Sequence, residues 1–356
     1  MSAHHSFELT GTAVLPNAGQ MLDQICEHFV EHAEVERTAD LALLTSKLGT
    51  ARIRLLDRTL LIDLAAPTET ALQVAQNSIA EHMFYFAQDE ALDLTWSRTG
   101  SPGKLRNFHQ AVVVGAQDIT PHMRRVRVFC EDVAPFVGGD MHVRVLVPPK
   151  GRSPLWPGYR GDGRIAWPQG DDALLVRPYT IRAVDIERRE LWIDVFQHPA
   201  PGITTPVADF ARDAQSGDVV ALLGPGSGGL PKARSILMIG DESALPAIAR
   251  IAAEVEAGTE IRAIIEVLDA GEEQPLPSAA KLDVRWLHRR SYHEAGAGSL
   301  LEEARTAIEA TDGSTFIWAA CEKDDVRAIR SQLKERGHDK KNMYVAWYWE
   351  TFRPTA

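Results

Sequence analysis

Residues 174–182 read LLVRPYTIR, and this short run carries an unusual set of side chains for one strand. Because side chains alternate between the two faces of a strand, Arg177 and Tyr179 share a face, with Thr180 at its turning edge. The guanidinium offers a fork of donors for phosphate, the phenol ring a flat surface, and the threonine a hydroxyl. The pattern predicts three side chains that can share one ligand; an ordinary barrel strand is the alternative.

The residues that follow supply a second place for an anion. An alternating strand over 191–196 leads to His198, and a loop containing Thr204 and Thr205 precedes a helix predicted over 207–214. Backbone N–H groups at the start of a helix, together with the two hydroxyls, suit a pyrophosphate.

Short strands with turn signals between them surround these segments. This spacing predicts an antiparallel Greek-key β-barrel over residues 105–230, after a Gly/Pro/Ser linker that ends near Lys104. The interruption over 148–170, rich in Pro, Gly and Trp, is interpreted as a functional lid or an irregular surface. His142 opens one strand, where a structural role is the better interpretation. The glycine-rich run 224–229 lacks the Lys-Ser/Thr of a phosphate loop and is interpreted as a crossing between domains.

The hydrophobic pattern changes after residue 231. Residues 235–240 form a continuous apolar run, which is typical of a parallel strand buried on both faces, and helices alternate with further such strands. The pattern predicts an α/β doubly wound domain over 231–356, whose ligands bind beyond the carboxyl ends of its strands. That position points to a nicotinamide nucleotide at Gly240, Asp241, Glu242 and Ser243. A plain strand-to-helix turn with acidic residues at the helix start is the alternative.

Residues 1–100 form a separate acidic segment, with 14 acidic and 6 basic residues. Its periodicities predict a small α+β domain in the order α–β–β–β–α–β, with Thr68 capping the second helix. His28 and His32 are i, i+4 neighbours that could bind a metal, but without a third ligand a solvated helix face is the preferred interpretation. No chemistry is assigned to this domain.

Composition excludes several classes of protein. A net charge of −11 argues against non-specific binding of nucleic acid or anionic membranes. The cysteines Cys26, Cys130 and Cys321 form no C-x-x-C pair, which excludes an all-cysteine zinc site or a four-cysteine iron–sulfur cluster. The sequence shows neither an apolar leader nor a run of about 18 apolar residues. We therefore expect a cytoplasmic protein without stable membrane association.

Several runs together resemble the siderophore-interacting proteins, FAD-dependent ferric-siderophore reductases of the ferredoxin-reductase superfamily. Residues 177–182 match the family's R-P-Y-T-x-R form, and residues 240–248, GDESALPAI, match its G-D-E-[ST]-A-x-P-A-[IL] signature. The run 318–322 is similar to W-x-A-G-E, with Cys321 in place of a small residue, and residues 344–349 resemble the closing aromatic strand. The acidic segment resembles a domain of unknown function found fused ahead of this family.

The resemblance implies a two-step reaction in which NAD(P)H delivers hydride to flavin N5 and the flavin passes single electrons to ferric iron. Fe(II) prefers softer ligands than the hard oxygens of a siderophore, so the metal is released. Tyr179 and Thr180 would lie at the site of catalysis, and residues 240–243 would bind the nucleotide. The residues implied to bind FAD are Arg177, Pro178, Tyr179, Thr180, Ile181, His198, Thr204, Thr205, Tyr348 and Trp349. Ile203 stands where the family tends to have proline, which alters that loop.

The ferric siderophore would be a small and often anionic substrate, so a basic pocket beside the flavin is expected. The arginines available for it are Arg124, Arg125, Arg160, Arg164 and Arg182. Arg289-Arg290 could receive a 2′-phosphate, which slightly favours NADPH over NADH; a solvated loop is the alternative.

Two other functions stay open at this point. One is a general flavin or ferredoxin-type electron-transfer reductase, and the other is a redox-inactive siderophore-binding carrier. The sequence identifies neither the siderophore nor the oligomeric state.

Overall fold

The computed structural model describes residues 6–30, 33–88, 90–98, 105–197, 206–291 and 299–351. By their internal contacts, Met1–Phe108 and Pro149–Leu174 form one unit, and His109–Pro148 and Leu175–Ala356 form a second. The predicted fold class is confirmed: an α+β sheet, an antiparallel barrel and a parallel α/β sheet follow one another along the chain. In the parts of the chain described, no helix has the length and hydropathy needed to cross a bilayer.

The first unit contains a six-stranded antiparallel sheet in the order β2-β3-β4-β5-β1-β6. Its strands are β1 (Phe7–Val14), β2 (Glu34–Arg37), β3 (Leu41–Ser46), β4 (Gly49–Leu56), β5 (Thr59–Ala66) and β6 (Asp93–Trp96). Helices α1 (Ala18–Phe29) and α2 (Glu69–Ala87) pack against its apolar side, where Leu22, Ile53 and Met83 are fully buried.

Two details of this unit differ from the sequence-based prediction. The predicted order α–β–β–β–α–β lacks β1 and β2, although β1 lies inside the sheet between β5 and β6. Its run FELTGTAV has only small or polar residues at most positions, so the apolar alternation that marks a strand is weak. The predicted cap of α2 is confirmed, since Thr68 Oγ1 accepts a hydrogen bond from Ala71 N at 3.0 Å.

The segment 149–174 packs against the N-terminal sheet and helix. Its short hairpin, β10 (Gly158–Tyr159) and β11 (Ile165–Ala166), turns through Asp162 and Gly163. Trp96 Nε1 donates to the Asp162 carbonyl at 2.9 Å, and the Ile165 amide donates to Glu81 Oε1 at 2.9 Å. The Arg164 guanidinium lies 3.4 Å from the centre of the Phe84 ring. The segment interpreted as a lid or an irregular surface thus packs as part of the first unit.

The second unit contains a closed barrel of six strands in the order β12-β13-β8-β7-β14-β9. Its elements are β7 (Phe108–Thr120), β8 (Met123–Cys130), β9 (His142–Val147), β12 (Leu175–Asp185), β13 (Glu190–Phe196), α3 (Pro206–Asp213) and β14 (Val219–Ser227). Inward-facing residues such as Val113, Val128 and Leu222 form its core.

A parallel sheet in the order β17-β16-β15-β18-β19 completes the second unit. Its elements are β15 (Ser235–Gly240), α4 (Leu245–Glu254), β16 (Glu260–Val267), β17 (Lys281–His288), α5 (Leu300–Glu309), β18 (Phe316–Glu322), α6 (Lys323–Glu335) and β19 (Met343–Trp349). Helix α4 packs on the face that contains Met238, and α5 and α6 on the face that contains Ile239. The strand order reverses at β15, so its carboxyl end at Gly240 is the switch point where such sheets bind ligands.

The histidines of the first unit do not form a metal site in the described part of the chain. The His28 and His82 rings lie 4.3 Å apart between α1 and α2, and His32 falls outside the described residues. No group of three or more potential metal ligands occurs among the residues that are described.

The hairpin's attachment can be tested at Gly163. A Cβ there would lie 3.0 Å from Trp96 Nε1, and the φ of +87° disfavours any other residue. We expect Gly163→Ala to raise the rate of hydrogen exchange over 158–166 by about tenfold, because strain of this kind costs about 1–3 kcal/mol. Gly161→Ala is the matched control, since a Cβ at Gly161 meets nothing within 4 Å. Equal exchange in the two variants would contradict the packing.

Candidate functional site

Strand β12 places the residues of the RPYT run at different depths. Arg177 and Pro178 are exposed, and among the described residues the guanidinium of Arg177 donates only to the carbonyl of its neighbour Val176, at 2.8 Å. Tyr179 is half-buried against the barrel core, and its burial raises the pKa of the phenol to about 12. Ile181 is completely buried and packs in the barrel core.

Thr180 is buried and joins a hydrogen-bonded network centred on His142. The two residues face each other in the pairing of β12 with β9, and Thr180 Oγ1 lies 3.3 Å from His142 Nδ1. On the other side of the ring, His142 Nε2 lies 2.9 Å from the Tyr348 hydroxyl and 3.3 Å from the Tyr344 hydroxyl. Both tyrosines belong to β19, so the imidazole connects the barrel with the parallel sheet.

The His142 imidazole is neutral. Its burial lowers the pKa to about 4, and the nearby Arg250 acts in the same direction against the opposing charge of Asp140. A neutral ring has one donor nitrogen and one acceptor nitrogen, so each contact has a defined direction. Burial also raises the pKa of both tyrosine hydroxyls, which therefore keep their protons.

Gly228 leaves the space that the His142 ring occupies. It follows β14 with a φ of +78°, and a Cβ on this residue would lie 2.3 Å from His142 Nε2. The ring cannot move away without breaking contacts on both of its nitrogens. Within the glycine-rich run, Gly228 is thus required by packing, while residues up to Ser227 still belong to strand β14 rather than to a crossing between domains.

The Gly240–Ser243 turn at the switch point is acidic and internally hydrogen-bonded. Asp241 Oδ1 accepts from Ser243 N at 2.8 Å and from Ser243 Oγ at 2.5 Å, and Oδ2 accepts from Trp349 Nε1 at 2.6 Å. Burial raises the pKa of the Asp241 carboxyl. Two carboxyls at this turn disfavour direct binding of a phosphate, because like charges repel in a site with little solvent.

Arg289 does not present a free guanidinium for a 2′-phosphate. It forms ion pairs with Glu242 and with Glu266, the second at 3.0 Å. Burial alone would lower the pKa of Arg289, but the two carboxylates outweigh it and raise the pKa. Arg290 pairs with Asp269 at 2.6 Å. A 2′-phosphate would have to compete with these carboxylates, which removes the sequence argument for NADPH.

Arg250 is the main polar connection between α4 and the barrel, and its side chain is 1% exposed. Its Nη1 donates to the carbonyl of Ile181 at 2.9 Å, and Nη2 donates to the carbonyl of Phe136 at 2.6 Å. Nε pairs with Glu254 at 2.9 Å on the same helix. The arginine therefore holds the carboxyl-terminal half of β12 against the helix that follows the acidic turn.

A second buried connection joins the segment that follows β16 to the barrel. Glu272 is 2% exposed and accepts from Thr120 Oγ1 at 2.5 Å, while its second oxygen lies 2.5 Å from His122 Nδ1. Thr120 and His122 belong to the β7–β8 turn of the barrel. Sequence reasoning missed both connections, although a single arginine within the apolar helix run ALPAIARI is a signal that it has a buried partner.

The remaining predicted site residues fall into two groups. Tyr348 and Trp349 come close to Thr180 and Asp241 through the contacts above, and Trp349 is 44% exposed. His198, Thr204 and Thr205 lie outside the described residues.

The five arginines suggested for a basic pocket are divided between the two units. Arg160 and Arg164 belong to the first unit, and Arg124 pairs with Asp118 at 2.6 Å. Arg125 forms a bidentate pair with the buried Asp194, at 2.6 and 2.7 Å. Arg182 lies 4.0 Å from the same carboxylate, and its buried Nε has no hydrogen-bond partner among the described residues.

Three family models match this chain in succession. Residues 10–97 match an uncharacterised domain conserved in bacteria, residues 112–229 match the siderophore-interacting FAD-binding domain, and residues 233–351 match the siderophore-interacting protein model. FAD is thus the cofactor of the domain type to which the barrel is similar.

Named relatives are ferric-siderophore reductases and importers. Ferric acinetobactin reductase of Acinetobacter baumannii is 28% identical over 49% of this chain and 60% of its own length. Ferric vibriobactin reductase ViuB of Vibrio cholerae is 26% identical over 65% of this chain and 85% of its own length. The mycobactin import protein IrtA of Mycolicibacterium smegmatis is 29% identical, but the match spans 26% of its length. The chain thus spans less than two thirds of two of these relatives.

Solved structures show the same architecture. A siderophore utilization protein from T. fusca is 30% identical, with a TM-score of 0.53 over 70% of this chain and 94% of that chain. The siderophore-interacting protein SipS from Aeromonas hydrophila is 25% identical, with a TM-score of 0.56 over 69% and 93%. A ferredoxin reductase of carbazole 1,9a-dioxygenase, 15% identical with a TM-score of 0.53 over 73% and 74%, shares the fold.

The importance of Arg250 can be measured by thermal unfolding. Arg250→Met keeps most of the side-chain volume but leaves the carbonyls of Ile181 and Phe136 without donors. Hydrogen bonds to a charged group are worth about 1.5–3 kcal/mol each, so we expect the unfolding midpoint to fall by about 10 °C. Arg327→Met, at an exposed surface pair, is the control and should change it by about 1 °C or less. Similar midpoints for the two variants would refute the role of Arg250.

The close approach of Gly228 to the His142 ring can be tested by measuring the free energy of unfolding. Gly228→Ala combines a positive φ with a contact far shorter than a van der Waals separation, so we expect a loss of about 2 kcal/mol in the free energy of unfolding. Gly226→Ala, where a Cβ meets nothing within 4 Å, should be close to neutral. Denaturant unfolding of both variants checks this, and a neutral Gly228→Ala would mean that the His142 ring is free to move.

Proposed function

Because the chain belongs to the siderophore-interacting protein family, we propose that it is an FAD-dependent ferric-siderophore reductase that takes its electrons from NADPH or NADH. The observation that supports this most strongly is the network around His142. It connects Thr180, on the strand proposed to hold the flavin, with Tyr348, whose neighbour Trp349 contacts Asp241 at the switch point. Four of the proposed flavin and nucleotide residues, Thr180, Tyr348, Trp349 and Asp241, thus take part in one set of contacts.

The residues of β12 fit an FAD molecule by their chemistry. Arg177 is exposed and uses one guanidinium nitrogen for the carbonyl of Val176, which leaves its other N–H groups for a diphosphate. Tyr179 offers a phenol ring that stays protonated, and Thr180 offers a hydroxyl. In the proposal Arg177, Thr204 and Thr205 bind the diphosphate, while Pro178, Tyr179, Thr180 and His198 lie along the rest of the cofactor.

Bound FAD would supply the conversion between a two-electron hydride donor and one-electron reduction of iron, which no side chain can perform. The protein's part is to orient the bound cofactor and to exclude water from it. Trp349 is exposed on one side and held by Asp241 on the other, so it can cover a planar ring. In the proposal the Gly240–Ser243 turn receives the nicotinamide end of the nucleotide, because its carboxyls disfavour the phosphates.

The substrate proposed is a ferric siderophore, with Fe(III) held by hard oxygen ligands. Reduction to Fe(II) weakens that ligation, so iron leaves without destruction of the chelator. Reduced nicotinamide nucleotides are a cytoplasmic supply of electrons, which is why the proposal places the reaction in the cytoplasm.

The proposal is tested by the absorbance spectrum of the purified protein with added FAD, before and after anaerobic NADPH or NADH. We expect a flavin spectrum that bleaches on addition of nucleotide and recovers when a ferric siderophore is added, with Fe(II) trapped by a chelator. A colourless protein that does not bind FAD would favour a carrier instead. Recovery with a ferredoxin but not with the siderophore would favour a general electron-transfer reductase.

The role of Arg177 gives a quantitative check. Loss of a charge-assisted pair with a diphosphate costs about 1.5–3 kcal/mol, so Arg177→Ala should raise the dissociation constant of FAD by about 10- to 100-fold. Arg188→Ala, at an exposed arginine in the turn that follows the same strand, is the matched control and should bind FAD normally. FAD fluorescence titration measures both, and equal affinities would exclude Arg177 from the site.

A further inference from the structure

The nucleotide in the proposed function has a defined direction along the parallel sheet. Its nicotinamide end lies at the turn after β15, and on the β19 side of that turn Trp349 contacts Asp241. The adenosine half then extends the other way, over the carboxyl ends of β16 and β17. Neighbouring strands lie about 4.8 Å apart, so the end of β17 is about 10 Å from the turn, within reach of an extended dinucleotide.

Two residues at this edge of the sheet indicate opposite nucleotides. In sheets of this strand order, an acidic residue after the first strand and helix binds the ribose 2′-hydroxyl of NADH, whereas an arginine nearby receives the 2′-phosphate of NADPH. Glu266 is the next-to-last residue of β16, and Arg289 follows β17 directly. The sequence thus contains both signals and does not choose between the nucleotides.

The ion pairs of Arg289 decide between them. Its guanidinium lies between the carboxylates of Glu242 and Glu266, whose side chains are only 5% and 14% exposed. Two carboxylates outnumber one cation, so these three residues, the Glu242–Arg289–Glu266 triad, keep a net negative charge. Arg289 cannot turn toward a phosphate without breaking both ion pairs in a place with little water, and breaking such pairs is costly.

Other groups at this edge that could bind an anion are also paired. Glu266 Oε1 accepts from the amide of Leu300 at 3.2 Å, so a carboxylate already occupies the amino end of α5, where a phosphate could otherwise bind. Arg290 pairs with Asp269 at 2.6 Å. Arg289 and Arg290 are the only lysine or arginine residues between positions 286 and 304. Both cations that this part of the sequence supplies are thus already paired.

The electrostatic potential at the same edge is negative. Asp325 lies in the first turn of α6, which follows β18 directly. Burial raises the pKa of its carboxyl, and the negative charges of Glu322 and Glu266 raise that pKa further. A phosphate monoester carries about two negative charges at neutral pH, so it would be repelled here, whereas a neutral hydroxyl would not.

We propose that the Glu242–Arg289–Glu266 triad makes this protein select NADH over NADPH. The proposal rests on the proposed function and adds which of the two nucleotides supplies the electrons. The 2′-hydroxyl of NADH can donate to Glu266, because a carboxylate accepts up to about four hydrogen bonds. The 2′-phosphate of NADPH meets the same carboxylates and finds the guanidinium of Arg289 already held between them.

The selection can be measured without electron transfer. Titration calorimetry of the FAD-loaded protein with ADP-ribose and with 2′-phospho-ADP-ribose compares the two ribose groups on ligands that cannot reduce a flavin. We expect the phosphate to raise the dissociation constant by at least about tenfold, because it lies against a negative triad. The kcat/KM for anaerobic reduction of the flavin should likewise be higher with NADH than with NADPH. Equal affinities for the two ligands in the wild-type protein would overturn the proposal.

Substitution of one carboxylate tests the cause of the preference. Glu266→Gln keeps the shape of the side chain and an acceptor for the Leu300 amide, but removes one negative charge from the triad. We expect it to tighten binding of 2′-phospho-ADP-ribose about tenfold relative to ADP-ribose, and Glu242→Gln is a second variant with the same expectation. Glu260→Gln is the matched control, since Glu260 lies at the opposite end of β16 in an exposed pair with Lys281. An unchanged preference in folded Glu266→Gln or Glu242→Gln refutes the role of the triad.

These measurements separate the two proposals. If NADPH reduces the flavin as readily as NADH does, the further inference fails and the proposed function stands. If neither nucleotide reduces the flavin and neither ribose ligand binds, the proposed function fails, and the choice between the nucleotides fails with it.

Discussion

The architecture of the second unit depends on one buried cation, the guanidinium of Arg250. A charge with 1% exposure is tolerated only where hydrogen bonds replace water, and here the carbonyls of Ile181 and Phe136 and the carboxylate of Glu254 do so. Two of these partners lie in the barrel, so the arginine is satisfied only when helix and barrel meet in one arrangement. The requirement selects a single relation between the two folds, and the same hydrogen bonds stabilise it.

Two other polar groups between the barrel and the parallel-sheet domain, His142 and Glu272, act in the same way as Arg250. His142 has partners from the barrel on one nitrogen and from β19 on the other, and Glu272 accepts from the barrel's β7–β8 turn. Each group would be unsatisfied if the sheet and barrel separated. A network of this kind is costly when incomplete, which makes the interface specific. The proposed reaction needs such specificity, because the flavin and the nicotinamide must meet in one arrangement.

One segment of the first unit has a different role in the structure from the one that its sequence predicts. The run 149–174 has the composition of a lid, yet its hairpin contacts Trp96, Glu81 and Phe84 of the N-terminal domain. These contacts are made by backbone carbonyls and amides as much as by side chains, so they leave little trace in the sequence. The uncharacterised domain therefore holds a piece of chain that interrupts the barrel.

Local patterns determined the three-part architecture of this protein. Alternating short strands indicated the barrel, continuous apolar strands the parallel sheet, and the residues from Arg177 to Thr180 together with the turn at Asp241 marked the candidate site, because these signals depend only on neighbours along the chain. The roles of His142 and Arg250, the burial of Ile181, and the ion pairs of Arg289 were decided by the tertiary structure alone. Their partners lie up to about two hundred residues away, and the charge and burial of a side chain follow from what packs against it.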